Sequence, residues 1–211
     1  MPDRLIFEKK ALKNGYSLVL GLDEAGRGPL AGPVVAAAVC LRQTRFKNKI
    51  NDSKLLTPAQ REAAMHEISR RAYVGVGVMN ESVIDEANIA QATYAAMTNA
   101  VWHLIHRLPQ SRKKSKSWHK KIFLLVDGKH FRSDMPFARQ TVVRGDSLSL
   151  SVACASIVAK VTRDRIMKIY DSVYPQYRFH AHKGYPTEKH IRAIRSFGPA
   201  VIHRKTFKGV C

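Results

Sequence analysis

The 211-residue sequence predicts an α/β fold, and three observations carry that expectation. Apolar segments of strand length, such as "YSLVLGLD" and "KIFLLVDG", run into an acidic residue at their ends. Stretches of helical periodicity separate the later segments, and glycine, proline and Asn/Asp clusters punctuate the joins. The 45% hydrophobic content supports one core of ordinary size, without a compositional break. Residues 1–211 are therefore expected to form a single domain whose C-terminal part, from roughly residue 165 onward, is helical.

Taken in order, "YSLVLGLD" and "GPVVAAAVCL" read as neighbouring strands joined by a glycine-rich loop. In "LTPAQREAAMHEISRRA", Thr57 supplies an N-cap, Pro58 the first helical residue and Gln60 the capping-box partner. "AYVGVGVMN" is a third strand. Over 82–108, Ile84, Ala87, Ile89, Ala92, Ala96, Ala100 and Leu104 recur at mostly helical spacing and predict one long amphipathic helix. "KIFLLVDG" follows as a strand buried on both faces, then a shorter strand "RQTVVRGD" and a helix over 147–173. In that helix Ala153, Ala155, Ser156 and Ala159 permit close packing. A last helix in "YPTEKHIRAIRSFG" has Thr187 as cap and Gly198 as stop.

The charge balance narrows the partners. Lys and Arg total 36 against 16 Asp and Glu, a formal charge of +20, which attracts polyanions and points to nucleic acid. Within 110–121, "QSRKKSKSWHKK" is basic without an acid and reads as a solvated loop that can add phosphate contacts. Cys40, Cys154 and Cys211 are widely spaced with no C-x-x-C pair, against a disulfide framework or a structural zinc site. No apolar run reaches signal-peptide or membrane-spanning length, so the expectation is a cytoplasmic protein with no membrane partner, monomeric in the simplest case.

The chemistry rests on the acids. Asp23 and Glu24 close the first strand, Asp127 closes the fourth, and Asp146 follows the fifth. Strands that end at the same edge of one sheet bring such side chains together, even when far apart in sequence. Asp23 and Glu24 address one site only if the strand gives way to a loop there, a break assigned to Gly26 and Gly28. Clustered carboxylates repel unless cations neutralise them. Oxygen-only ligands favour Mg²⁺ or Mn²⁺, and a pair of such ions about 3.5–4 Å apart suits phosphodiester hydrolysis. Each acid also has a structural alternative: a strand-ending turn for Asp23 and Glu24, a hairpin dipeptide for Asp127–Gly128, a helix cap for Asp146. Asp164 lies among basic residues inside a helix and reads as an ion-pair partner. A basic nucleic-acid-binding protein without catalysis is the alternative from another class.

The motifs "GLDEAGRGPLAGPVVAAAV", "NDSKLLTP", "LLVDGK", "VVRGDS", "ASIVAKVTRDR" and "FHAHKGYPT", in this order over nearly the whole chain, resemble bacterial ribonuclease HII. The resemblance implies a ribonuclease H-like fold with a central mixed five-stranded sheet. It also implies an endoribonuclease that uses Mn²⁺ or Mg²⁺ to cut the RNA strand of RNA–DNA hybrids and to incise duplex DNA at embedded ribonucleotides. By position, Asp23, Glu24, Asp127 and Asp146 would be catalytic and metal-binding. The backbone of Gly26, Arg27 and Gly28 would meet the ribose 2′-hydroxyl, and Tyr185 would stack on the sugar of the next deoxynucleotide. Lys54, Lys160 and Lys183 would contact phosphates, and His180 and His182 would have phosphate or structural roles. The basic stretch at 110–121 is longer than the family usually carries there.

Overall fold

The computed structural model describes residues 3–113 and 116–210. A helix not foreseen in the sequence, α1 (Ile6–Lys13), precedes β1 (Leu18–Ala25) and β2 (Val34–Leu41). Then come α2 (Pro58–Arg71), β3 (Ala72–Met79), α3 (Glu81–Ala87), α4 (Ile89–Arg107), β4 (Ile122–Asp127) and β5 (Ala138–Val142). The rest is helical: α5 (Gly145–Leu148), α6 (Leu150–Val173), α7 (Phe179–His182) and α8 (Glu188–Phe197).

The five strands form one mixed sheet in the order β3-β2-β1-β4-β5. β2 runs antiparallel to β1 and β3, while β1, β4 and β5 are mutually parallel and end at the same edge. Leu20 and Leu22 of β1 and Leu124 and Val126 of β4 pack under α4, whereas Ala37 and Val39 of β2 pack under α2 and α6. The α4 backbone sits so close to β3 that a Cβ at Gly77 would lie 2.0 Å from the Ala96 carbonyl oxygen. Leu30 and Ala31, from the glycine-rich loop, belong to a separate cluster with Met167, Phe179, Ile194 and Ile202. The helical tail is thus packed directly on that loop.

The capping box on α2 forms as expected, with Gln60 N–H donating to Thr57 Oγ1 at 3.2 Å and Thr57 N–H to Gln60 Oε1 at 2.9 Å. Thr187 caps α8, and Gly198 ends it at φ 72°. The expected single helix over 82–108 is broken at Asn88, which takes φ 70° and caps α4 by accepting the Ala90 and Gln91 N–H groups. Asparagine tolerates that left-handed φ and is a strong N-cap, so capping overrides the continuous apolar stripe. The helix expected from residue 147 starts at Leu150, because Ser149 is extended and caps it, with Gly145–Leu148 forming a separate turn. In the basic stretch 110–121, residues 114 and 115 lie outside the described residues; Gln110–Arg112 and Trp118–Lys121 are 3-10 turns. Among the described residues, no helix is long and apolar enough to cross a membrane.

Candidate active site

The parallel register sets the site. Leu22 pairs with Val126, so the following residues, Asp23 and Asp127, lie side by side at the sheet edge; Asp127 in turn pairs with Val142 of β5. Asp127 Oδ1 accepts the Gly145 N–H at 2.7 Å, which draws the start of α5, and with it Asp146, toward β4. From the other side, the Arg4 guanidinium donates to the Asp146 carbonyl at 2.7 Å.

The strand does not give way at Asp23: β1 continues through Ala25, paired with β2 by Glu24↔Ala36 and Ala25↔Val35. By the alternation of a pleated strand, Glu24 leaves on the Leu20–Leu22 side and Asp23 on the α6 side. Asp23 nonetheless turns to its own backbone, its Oδ1 accepting the Glu24 N–H at 2.7 Å, and the Ser156 hydroxyl of α6 acts to lower its pKa. The break supplied by Gly26 comes one residue after the strand.

Burial, then the charges of Glu24 and Asp127, push the Asp23 pKa well above the ordinary carboxylate range. Burial also raises Glu24, partly offset by Arg27, whose guanidinium lies 3.4 Å away. Asp146 is raised by burial and by Asp52 and Asp127, with Lys54 acting in the opposite sense. Such a set gains free energy from any cation that enters it. The donors are all carboxylate oxygens, which suits a hard divalent cation. Among the described residues, no three His, Cys, Asp or Glu side chains converge into a ready-made metal cage, as the opposite pleat directions of Asp23 and Glu24 lead one to expect.

Beside this edge lies the loop 26–33. Gly26 has φ 102°, and a Cβ there would lie 2.2 Å from Arg163 Nε, so both backbone conformation and space require glycine. At Gly28 the nearest atom to such a Cβ is Tyr185 Cε1 at 3.7 Å, which puts the half-exposed Tyr185 ring against the loop. Lys54 is exposed at the start of a 3-10 turn. Lys160 is held by Asp164 at 2.7 Å, with Arg61 3.8 Å from the same carboxylate, so Asp164 is the expected ion-pair partner. Lys160 and Lys183 share an open groove of about 500 Å³ with Arg61, Arg165 and Lys168. His180 has a structural role, bonded through Nδ1 to Asp171 at 2.8 Å, and His182 holds the Tyr177 carbonyl at 2.8 Å.

Two residues that sequence reasoning passes over dominate the loop's support. Arg163 and Arg204 are 1% and 0% exposed and donate to loop carbonyls from beneath. Their positions carry no sequence signal, since arginine on a basic chain reads as surface.

Known proteins agree with this architecture. The family model described as Ribonuclease HII matches residues 20–210. A ribonuclease HII from Geobacter sulfurreducens is 49% identical over 205 residues, covering 97% of this chain and 88% of the relative. Among solved structures, the ribonuclease H2 of Pyrococcus horikoshii OT3 superposes with a TM-score of 0.68 at 23% identity, covering 92% of this chain and 95% of its own. Bst-RNase HIII in complex with Mn²⁺ gives 0.57 at 18% identity, covering 95% and 70%. With its mixed five-stranded sheet, the chain belongs to the ribonuclease HII family of RNase H enzymes.

Proposed function

We propose that this enzyme hydrolyses the RNA strand of RNA–DNA hybrids and incises duplex DNA on the 5′ side of an embedded ribonucleotide, leaving 3′-hydroxyl and 5′-phosphate ends. One observation carries the reading: a mutually repelling carboxylate set, the buried Asp23 with the partly buried Glu24, Asp127 and Asp146, borders a glycine loop that is backed by Tyr185. Asp23 and Asp127 would hold two divalent ions, Mg²⁺ or Mn²⁺, with Glu24 and Asp146 completing the set. When bound, the ions neutralise the carboxylates, activate water and stabilise the leaving oxygen. The Mn²⁺ complex of Bst-RNase HIII supports that choice of ion for the fold.

The rest of the reaction falls to the chain's own groups. A single 2′-hydroxyl separates a ribonucleotide from a deoxynucleotide. Backbone donors and acceptors at Gly26, Arg27 and Gly28 can reach it because Gly28 carries no side chain of its own. Tyr185 offers a flat ring beside the loop for the neighbouring sugar. Lys54 and Lys183 line the approach as phosphate contacts, and Lys160 does so while paired with Asp164. The +20 charge draws the duplex to the protein.

The test compares a duplex carrying one ribonucleotide with its all-DNA twin, each with and without Mg²⁺ or Mn²⁺. Cleavage is expected only at the ribonucleotide and only with metal. Asp127→Asn should lower the rate by about 10²–10³-fold, the range for deleting one preorganised electrostatic group, while salt-dependent duplex binding persists. Equal cutting of both duplexes, or an unimpaired Asp127→Asn, would overturn the proposal.

A further inference from the structure

The loop 26–33 carries glycine at 26, 28 and 32, a composition that leaves its backbone free to take many shapes. In the folded protein almost none of that freedom survives. The Arg204 guanidinium places all five N–H donors on loop carbonyls: Nη2 on Gly26 at 2.6 Å and Gly32 at 2.7 Å, Nη1 on Arg27 at 3.0 Å and Pro29 at 2.8 Å, and Nε on Gly32 at 3.0 Å. Its own backbone N–H donates to the Leu30 carbonyl at 2.8 Å. Arg163 takes the two remaining inner carbonyls, Ala31 at 3.0 Å and Pro33 at 2.9 Å, and with its third nitrogen holds Lys183 O at 3.0 Å, next to Tyr185. Of the eight carbonyls from Gly26 to Pro33, only that of Gly28 has no protein donor among the described residues.

A buried cation normally answers a carboxylate. Here none of the eight guanidinium bonds goes to one, although burial makes each charge costly and Glu81, also buried, feels both. Two buried charges are instead used to fix the shape of one loop. The planar fork of arginine suits this, since it presents five donors in fixed directions, whereas a lysine ammonium presents three on a flexible stem.

We infer that Arg204, backed by Arg163, is the positioning residue for ribose discrimination: it turns seven loop carbonyls inward and leaves that of Gly28 as the single backbone acceptor available to a 2′-hydroxyl. The inference rests on the ribose-reading role given to this loop above. A loosened clasp would free several carbonyls at once, so the loop would meet ribose and deoxyribose with less difference.

The experiment measures steady-state cleavage, in Mg²⁺, of a duplex bearing one ribonucleotide, with the all-DNA twin as competitive inhibitor. The wild-type ratio of the twin's inhibition constant to KM reports discrimination. A wild-type ratio near one removes the ribose-reading role itself. Given a wild-type preference, Arg204→Lys should cut the ratio and kcat by about tenfold each, with the twin's inhibition constant within about twofold of wild type. A retained ratio, or equal weakening toward both duplexes, makes Arg204 a merely structural residue and overturns the inference. Should Arg204→Lys show no cooperative melt, Phe207→Leu takes its place, because the Phe207 ring lies 5.1 Å from the guanidinium without touching the loop bonds. It should lower the ratio about twofold to threefold, by partial loss of the cation–π contact. An unchanged ratio there counts against the inference.

Discussion

At the sheet edge, Asp23 is buried with Glu24 and Asp127 as neighbours, and its pKa is driven up because the charged form is poorly tolerated. In the helical tail, His190 and His203 are also buried titratable groups and His182 is partly buried, but each is satisfied in its neutral form. The Ala200 N–H donates to His203 Nδ1 at 2.9 Å, which leaves His203 Nε2–H to donate to His190 Nε2 at 3.1 Å. His190 Nδ1–H then donates to the Tyr185 carbonyl at 2.9 Å. Likewise the Gly184 N–H donates to His182 Nδ1 and fixes its Nε2–H on Tyr177 O. The difference teaches how the molecule divides labour. The edge keeps an electrostatic penalty of the kind a cation would relieve, while the tail's imidazoles are paired in their neutral forms and one of them holds the Tyr185 carbonyl.

The sharpest way to break this contrast is Asp23→Asn. A carboxylic acid whose folded pKa is raised contributes stability below its unfolded pKa and loses it as pH rises through the folded value, so ionised Asp23 burdens the fold at neutral pH. Asparagine keeps an oxygen for the Glu24 N–H and drops the charge. Activity should fall by about 10²–10³-fold. The metal-free Tm should rise by a few degrees, at about 2–4 °C per kcal/mol for a chain of this size. The rise in Tm that Mg²⁺ gives the wild type should shrink in the variant. A lower metal-free Tm would show that Asp23 stabilises its surroundings and would remove the penalty from the comparison.

The tail answers pH in the opposite sense. Burial lowers the pKa of His182 and His203 and takes that of His190 down to about 4. A base depressed in this way contributes stability above its unfolded pKa, near 6.5, and loses it as pH falls toward the folded value. Protonation would set N–H against N–H along the chain of imidazoles. Acids with lowered values, such as Asp85 and Asp171, are lost only below their ordinary range near 3.8. Between pH 6.5 and about 4 these histidines should pull the Tm down against the opposite pull of the raised carboxyls Asp23, Glu24 and Asp146, so His190→Gln, with a lower Tm at pH 7.5, should show a less downward slope than wild type as pH falls. An equally steep slope in the variant would place the acid sensitivity elsewhere.

How far this contrast can be read in the sequence differs between its two halves. Strand periodicity and terminal acids placed Asp23 and Asp127 at strand ends on a shared edge, because β-strand alternation and apolar burial are local signals. The α2 capping box and the Thr187 cap were legible for the same reason. Two expectations failed on competition between local rules: Asn88 breaks a continuous helical stripe, and Ser149 caps α6, so the helix read from residue 147 starts at Leu150. The tail's role was hidden because it depends on contacts across 130 to 178 positions, such as Arg163 to Pro33 and Arg204 to Gly26. The helix α1 escaped notice although it sends Glu8 to Ser149 at 2.6 Å and Arg4, just before it, reaches the Asp146 carbonyl; it is only 8 residues long and opens on Leu5 without a side-chain cap, so no start signal marks it.

The mildest perturbation separates the loop clasp from the general attachment of the tail. Asp85, on α3, accepts the Lys205 N–H at 2.8 Å, the Thr206 N–H at 3.0 Å and the Thr206 hydroxyl at 2.6 Å, immediately after Arg204 in the chain. Asp85→Ala removes these bonds without touching the guanidinium or any loop carbonyl. The freed groups sit near the surface and recover water, so the cost should be roughly 1–2 kcal/mol, seen as a Tm lowered by about 2–8 °C. Discrimination between the ribonucleotide duplex and its DNA twin should stay within about twofold of wild type, since each bond that shapes the loop remains. If Asp85→Ala instead loses discrimination as fully as Arg204→Lys, the loop follows the position of the whole tail, and the five-donor fork of Arg204 has no separate part in it.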